Sequence, residues 1–253
     1  MVAINLLILH WFSSLFCQSF FLHRYASHNM FHMNRFWEKV FYLLTYLSQG
    51  ASFLNPRTYA ILHNRHHQFS DGPNDPHSPY QSKNIVKMML RTYSEYMEIL
   101  NDEESKKSHQ YPKWQRLDDF AESYWNILLW IIIYYSIYVY FEIPTIYYIL
   151  LPLHFIIGPI QGAIVNWFGH KIGYVNFKLP DQSKNSLPID FLLMGELYQN
   201  NHHKHAKRLN FSHRFFEIDL TYILATILLQ LGIIKLQRNS NEVFHPSHSH
   251  SIQ

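Results

Sequence analysis

The runs YWNILLWIIIYYSIYVYF (124–141) and TIYYILLPLHFIIGPIQGAIVNWF (145–168) decide the fold: neither holds Asp, Glu, Lys or Arg, and only Glu142-Ile143-Pro144 separates them. A bilayer crossing takes about 20 predominantly apolar residues, so the pair reads as a transmembrane hairpin with a tight turn. The first 22 residues, MVAINLLILHWFSSLFCQSFFL, are long and apolar enough for one further crossing. With no basic leader and no small-residue cleavage site, they do not read as a cleaved signal peptide. The hairpin turn has no Lys or Arg, whereas Arg24, Lys39, Arg57, Arg65, Lys171 and Lys178 lie beyond the opposite ends. By the positive-inside tendency those ends face the cytoplasm.

The run FYLLTYLSQGASFL (41–54) is apolar but only about 14 residues long, short for a crossing. If it crossed, the histidine-bearing stretches on either side of it would face opposite surfaces, so it is expected to lie in the interface or to re-enter it. IDLTYILATILLQLGIIKL (218–236) is read as a second interfacial helix. Residues 80–120, with NDEESKK at 101–107, are expected to form a solvated connection. The fold class that results is all-α integral membrane: a single domain over residues 1–238, with transmembrane and interfacial helices under a cytoplasmic cap. Residues 239–253, ending in HPSHSHSIQ, form a low-complexity His-rich tail expected to be disordered.

Composition narrows the function. With 253 residues, 48% hydrophobic and 17% aromatic, the chain has material for one large core or a small membrane domain. A net charge of +3 and a pI near 8.8, with the basic residues scattered, give no stripe for nucleic acid and fit an anionic lipid surface. The lone Cys17 excludes a disulfide framework, a cysteine zinc site and a self-contained iron–sulfur cluster. Mean hydropathy is −0.16, as expected for spans carrying a polar cap. The 18 histidines are about three times ordinary usage.

Those histidines fall into four stretches after the apolar segments: HRYASH (His23, His28), HNRHH (His63, His66, His67), NWFGH (Asn166, His170) and QNNHH (Gln199, Asn200, His202, His203). On an α-helix, spacings of three and four share a face, so His63, His66 and His67 converge, as does Asn166 with His170. His23 and His28, five apart, would diverge by about 140° and contact two ions or flank one cleft. Eight imidazoles exceed a zinc site and suit two first-row ions with room for substrate or dioxygen. A carboxylate-bridged di-iron site needs paired Glu-x-x-His, yet Glu38, Glu122, Glu196 and Glu217 lead to Phe41, Trp125, Gln199 and Leu220. HExxH is absent as well.

The order H-x4-H, H-x2-HH, N-x3-H and a final HH box after Gly195-Glu196 resembles the membrane fatty-acid desaturases of the acyl-CoA and acyl-lipid delta-9 kind. HRYASHNMF (23–31), HNRHHQFSDGPNDPHSP (63–79) and GELYQNNHH (195–203) carry the likeness, which extends from residue 20 to about 215. It implies a mushroom-shaped helical fold whose cap holds two iron ions on His23, His28, His63, His66, His67, His170, His202 and His203, with Asn166 and Gln199 at matching positions. It also implies an acyl chain in a narrow tunnel and O2 as co-substrate. The substrate would be an acyl-CoA, an acyl-ACP or an acyl lipid, and the electrons would come from an external ferredoxin or cytochrome b5-like donor with its reductase. Two features depart from the pattern. The last box usually reads H-x2-HH, and here Gln199 stands first, with His205 a possible substitute. Family members often have a further span before the first box, where only one fits here.

Three functions are compatible with these residues: a fatty acyl desaturase, a hydroxylase using the same centre, and a membrane metal-binding protein or transporter. The last predicts ligands near the bilayer midplane, whereas the boxes cluster at the span ends. His10 and His154 read as neutral intramembrane residues bonded to a neighbouring helix, and His77 as a loop-holding residue. Asp71 and Asp75 read first as turn formers in SDGPNDP and second as partners of the histidine rings. Arg57, Lys171 and Lys178 are candidates for docking an acidic donor or a headgroup.

Overall fold

The computed structural model describes residues 1–237; the His-rich tail lies outside them. Helix α1 (Val2–Cys17) runs without interruption into a π-helix, Gln18–Ser27, and the combined 26-residue rod is long and apolar enough to cross a membrane. A short strand β1 (Phe31–Met33) leads to α2 (Arg35–Gln49), which starts where the Asn34 side chain accepts from Trp37 N–H. Helix α2 is two-faced: Phe41, Tyr42, Thr45 and Tyr46 are buried, while Leu43, Leu44 and Leu47 are exposed. It ends at Gly50, whose φ of +57° and whose closeness to the Tyr134 hydroxyl leave no room for a Cβ. After a 3-10 turn, Asn55 caps α3 (Pro56–Phe69), with Pro56 in the first turn. The chain thus returns to the side it left. His28 of the first box and His63 on α3 have Nε2 atoms 2.8 Å apart, so 41–54 does not carry the chain to the opposite face.

Residues 80–120 are not the solvated connection expected. They contain α4 (Ile85–Asn101), a one-turn α5 (Glu103–Lys106) and α6 (Gln115–Ala121). Helix α4 buries Met88, Ile99 and Leu100 and presents Met89, Tyr93 and Tyr96 to the main cavity. Its last carbonyls, on Ile99 and Leu100, accept hydrogen bonds from Arg57. Arg57 is therefore buried and committed to a helix end, and is no surface residue for docking a donor.

The two arms of the expected hairpin differ. Helix α7 (Tyr124–Tyr140) is a single 17-residue helix with Ile127, Leu128, Ile131, Ile132 and Val139 exposed along it. The second arm is broken: a 3-10 turn and α8 (Leu151–Phe155) meet α9 (Ile157–Lys171) at 63°. Pro159, in the first turn of α9, has no N–H to continue the ladder from α8, and the Gly158 N–H donates instead to Ser52 Oγ, 3.3 Å away. The remaining helices are α10 (Gln199–Lys204) and α11 (Leu220–Gln230), the latter capped by Asp219. The expected helix over 218–236 is shorter than read. It stops before Gly232 (φ +71°), and β2 (Ile234–Leu236) pairs antiparallel with β1. Phe20, Phe21, Phe31, Phe41, Tyr42, Tyr198 and Phe211 form the main core beneath the histidine stretches.

Candidate metal centre

The π-helix decides how the first histidine pair works. Its hydrogen bonds close over five residues, and the His28 N–H donates to the His23 carbonyl. Residues five apart therefore stack on one face, and the His23 and His28 rings lie 5.0 Å apart. The 140° divergence expected of an α-helix does not occur. His63 and His67 from α3 and His202 from α10 join this pair, each offering a nitrogen within 4.8 Å of the others. A second group at the same spacing contains His66 from α3, His170 from the end of α9 and His203 from α10. Adjacent residues are thus divided between the groups: His66 from His67, and His202 from His203.

Four carboxylates fix the rings. Nδ1 of His23 is 2.6 Å from Glu196 Oε2, that of His66 is 2.9 Å from Asp75 Oδ2, that of His170 is 2.9 Å from Asp71 Oδ2, and that of His203 is 3.2 Å from Asp181 Oδ2. Burial alone would raise Glu196, but attraction to His23, the hydrogen bond from that ring and the Arg24 charge outweigh it and hold the carboxyl at about 2. Burial is likewise outweighed at Asp71 by the His170 hydrogen bond and at Asp181 by the His203 hydrogen bond, so both lie below the ordinary carboxylate range. Asp75 is raised by burial to about 6, which still leaves it ionised at neutral pH. An ionised carboxylate only accepts, so each of these Nδ1 atoms carries a proton and Nε2 is the nitrogen left to face inward.

The inward nitrogens then face one another. In the first group the Nε2 separations are 2.9 Å for His23–His202, 2.8 Å for His28–His63, 3.0 Å for His63–His67 and 2.9 Å for His67–His202. In the second, His66 and His203 Nε2 are 3.2 Å apart. Since Asp75 and Asp181 hold both Nδ1 protons, the last contact sets electron pair against electron pair, which a cation between them relieves. Two ligands at about 2.1 Å from one ion and at right angles are about 3.0 Å apart, so the spacing fits a shared ion. Burial, followed by repulsion from neighbouring imidazoles, keeps His28, His63, His66, His67 and His202 well below the ordinary histidine value. They are neutral near pH 7, the form that binds metal.

Asp71 and Asp75 do both things weighed for them, since Asp75 also accepts from the Asp71 and His77 amides within the turn. Glu196 and Asp181 are partners that the histidine spacing does not indicate: Asp181 is 22 residues before His203 with no helical register to link them, whereas Glu196 stands just before the last box, where its position is the one available signal. Gln199 is buried against Gly169, where a Cβ would come within 2.5 Å of its Cγ, and its Nε2 donates to the Glu196 carbonyl at 2.7 Å. Asn166 and Gln199 both line a cavity of about 730 Å³ that also touches His23, His63, His66 and His77. The rest of its wall is mainly apolar, from Leu15 and Leu62 to Ile85, Met89 and Ile164. His205 belongs to neither histidine group and sets its ring edge-on to Phe177. His10 and His154 bond to each other at 2.7 Å, and His154 to the Tyr138 hydroxyl at 3.1 Å, as read for a pair joining neighbouring helices.

A model of the fatty acid desaturase family matches residues 1–215. Among curated proteins, the chain is 26% identical over 253 residues to a hex-5-enoyl-[acyl-carrier protein] acetylenase of Moorena producens, covering 92% of this chain and 76% of that protein. It is 27% identical over 227 residues to an sn-1 stearoyl-lipid 9-desaturase of a Synechocystis species, covering 84% of this chain. It is 25% identical over 219 residues to an acyl-CoA C20 Delta5-desaturase of Anemone leveillei, covering 83% of this chain. The chain spans under two thirds of the latter two, 64% and 65% of their lengths. The histidine order, its convergence and these relatives give one conclusion: the chain belongs to the fatty acid desaturase family, and its enzyme class is fatty acyl desaturase.

Proposed function

We propose that this chain introduces a double bond, of the delta-9 type, into a fatty acyl chain, using two iron ions held by the two histidine groups. The observation that carries the reading is the convergence of eight imidazoles on two positions that open onto one mainly apolar cavity. His23, His28, His63, His67 and His202 would hold one ion. His66, His170 and His203 would hold the other, with Asn166 and Gln199 beside them as direct or water-mediated partners. When bound, the pair of ions supplies activation of O2 and removal of two hydrogens from adjacent methylenes; with two electrons and two protons the balance is one C=C and two waters.

The chain's own residues supply the rest. Leu15, Leu62, Met89 and Ile164 present an apolar surface for the acyl chain and keep water from the reacting methylenes. The cavity volume lies within the range of small-molecule sites, about 300–1,000 Å³. Glu196, Asp71, Asp75 and Asp181 hold the Nδ1 protons and so aim each Nε2 inward. The electrons come from an external ferredoxin or cytochrome b5-like donor. The exposed apolar sides of α1 and α7 favour an integral membrane protein, and the Lys and Arg residues beyond the histidine-bearing ends favour a cytoplasmic position for those ends. Relatives' names divide between acyl-carrier protein, lipid and acyl-CoA substrates, so the carrier is left to experiment.

Gas chromatography–mass spectrometry of fatty acids from cells expressing the chain, beside a His66→Ala control, tests the reading. A new monounsaturated acid, lighter by two hydrogens and lost in the control, supports it. A product heavier by one oxygen moves the assignment to a hydroxylase, and unchanged fatty acids in cells supplied with a competent donor contradict it.

A further inference from the structure

We infer that His77 completes the second metal position, taking the part that Gln199 plays poorly. His77 sits in the turn after α3 and is 5% exposed, yet neither of its ring nitrogens has a hydrogen-bond partner. The ring therefore does not hold its loop. Leaving a buried polar atom unpaired costs about 1–3 kcal/mol, and native proteins seldom do it twice on one side chain, so the ring is built for a partner that is not protein.

Its neighbours indicate which partner. The His77 ring centroid is 4.3 Å from that of His66, and His77, Gln199 and Asn166 line the same cavity. A nitrogen of His77 lies within 4.8 Å of ligand-type atoms on His66 and Asp75. That trio is no third ion site, because Asp75 is committed to His66 Nδ1 and to the Asp71 and His77 amides. The need lies at the second position, which has three imidazoles against five at the first. The fourth candidate there is Gln199, whose Nε2 is tied to the Glu196 carbonyl, leaving an amide oxygen as its only donor to a metal. His77 falls outside the set formed by His66, His170 and His203, so it reaches the ion by turning its ring or across one bound water. On either route, retention of the second ion depends on a nitrogen at residue 77.

The inference rests on the two-ion reading, and the test separates the two. Iron per chain is counted by elemental mass spectrometry on the full-length protein purified in detergent, for the wild type, His77→Phe, and His77→Phe combined with Gln199→His. His77→Phe keeps an aromatic ring, slightly larger, at this position and removes both nitrogens. The expected counts are about two ions for the wild type, about one for His77→Phe and about two again for the double variant, since loss of an outer partner commonly costs 10–100-fold in affinity. Recovery through a residue on another element is something a purely structural role for His77 does not give. Two ions retained in His77→Phe, or no recovery in the double variant, overturns the role of His77. Fewer than two ions in the wild type overturns the two-ion reading instead. If His77→Phe does not fold, His77→Asn decides: it keeps a small polar side chain but replaces the imidazole nitrogens with a weak amide ligand, so a chelator should strip the second ion at least about tenfold faster than from the wild type, and an unchanged release rate overturns the inference.

Discussion

Arg24→Met gives the sharpest stability prediction, because Arg24 joins the metal-orienting shell to the C-terminal part of the fold. The guanidinium is fully buried. It donates to Glu196 Oε1 at 2.7 Å, to Asp219 Oδ2 at 2.8 Å and to the Leu209 carbonyl at 3.1 Å, and lies 3.8 Å above the Phe211 ring. Methionine preserves part of the packing but leaves two buried carboxylates facing each other without their shared cation. Removing one partner of a buried ion pair costs about 3–5 kcal/mol; for a chain of this size that is a fall in unfolding midpoint of about 6–20 °C. Arg24→Lys should recover little, since an ammonium cannot span both carboxylates as the planar fork does. Arg24→Met with Asp219→Asn should recover part of the loss by removing one stranded charge. The assay is thermal unfolding in detergent followed by circular dichroism. A midpoint within about 2 °C of the wild type for Arg24→Met would refute the reasoning, because the network would then carry no net stability.

Three other outcomes follow from the same geometry. Asp181→Ala frees His203 Nδ1, and the second ion should bind about 10–100-fold more weakly, read by chelator competition; equal affinity speaks against ring orientation by this carboxylate. Gly169→Ala pushes a Cβ to 2.5 Å from Gln199 Cγ and should destabilise the protein by about 1–3 kcal/mol; a neutral result in denaturant titration would show that Gln199 moves aside freely. The metal-free chain should lose stability as pH falls. Burial first, then neighbouring imidazoles, lower His28, His63, His66, His67 and His202 in the folded state. Below about pH 6.5 the unfolded chain therefore binds more protons, and each such ring withdraws up to about 1.4 kcal/mol per pH unit. The midpoint should be flat above pH 7.5 and drop steeply towards pH 5; a flat profile across pH 5–7 counts against buried neutral histidines.

Much of the site was legible because three of the four stretches obey α-helical spacing. His63 and His67, four apart on α3, meet as the periodicity requires, and the apolar run before the first box forms the long helix read from it. The first box could not be read that way. Nothing local in QSFFLHRYAS announces a π-helix, yet that winding is what turns a five-residue spacing into one face. Helix α4 is not legible in the same way because its apolar residues, Met89, Tyr93 and Tyr96 among them, are spread through a polar segment and acquire meaning only against the cavity they line. Asp181 escaped for a different reason: it reaches His203 through loop placement, which has no period. The break between α8 and α9 falls beside Pro159, a signal masked in the sequence by the length and hydrophobicity of the run around it.

The most direct test of the two-position centre is anomalous diffraction at the iron edge from crystals of the protein grown with ferrous iron. The account predicts two peaks, one among the Nε2 atoms of His23, His28, His63, His67 and His202 and one against His66, His170 and His203. A single peak, or iron bound away from these rings, would contradict it.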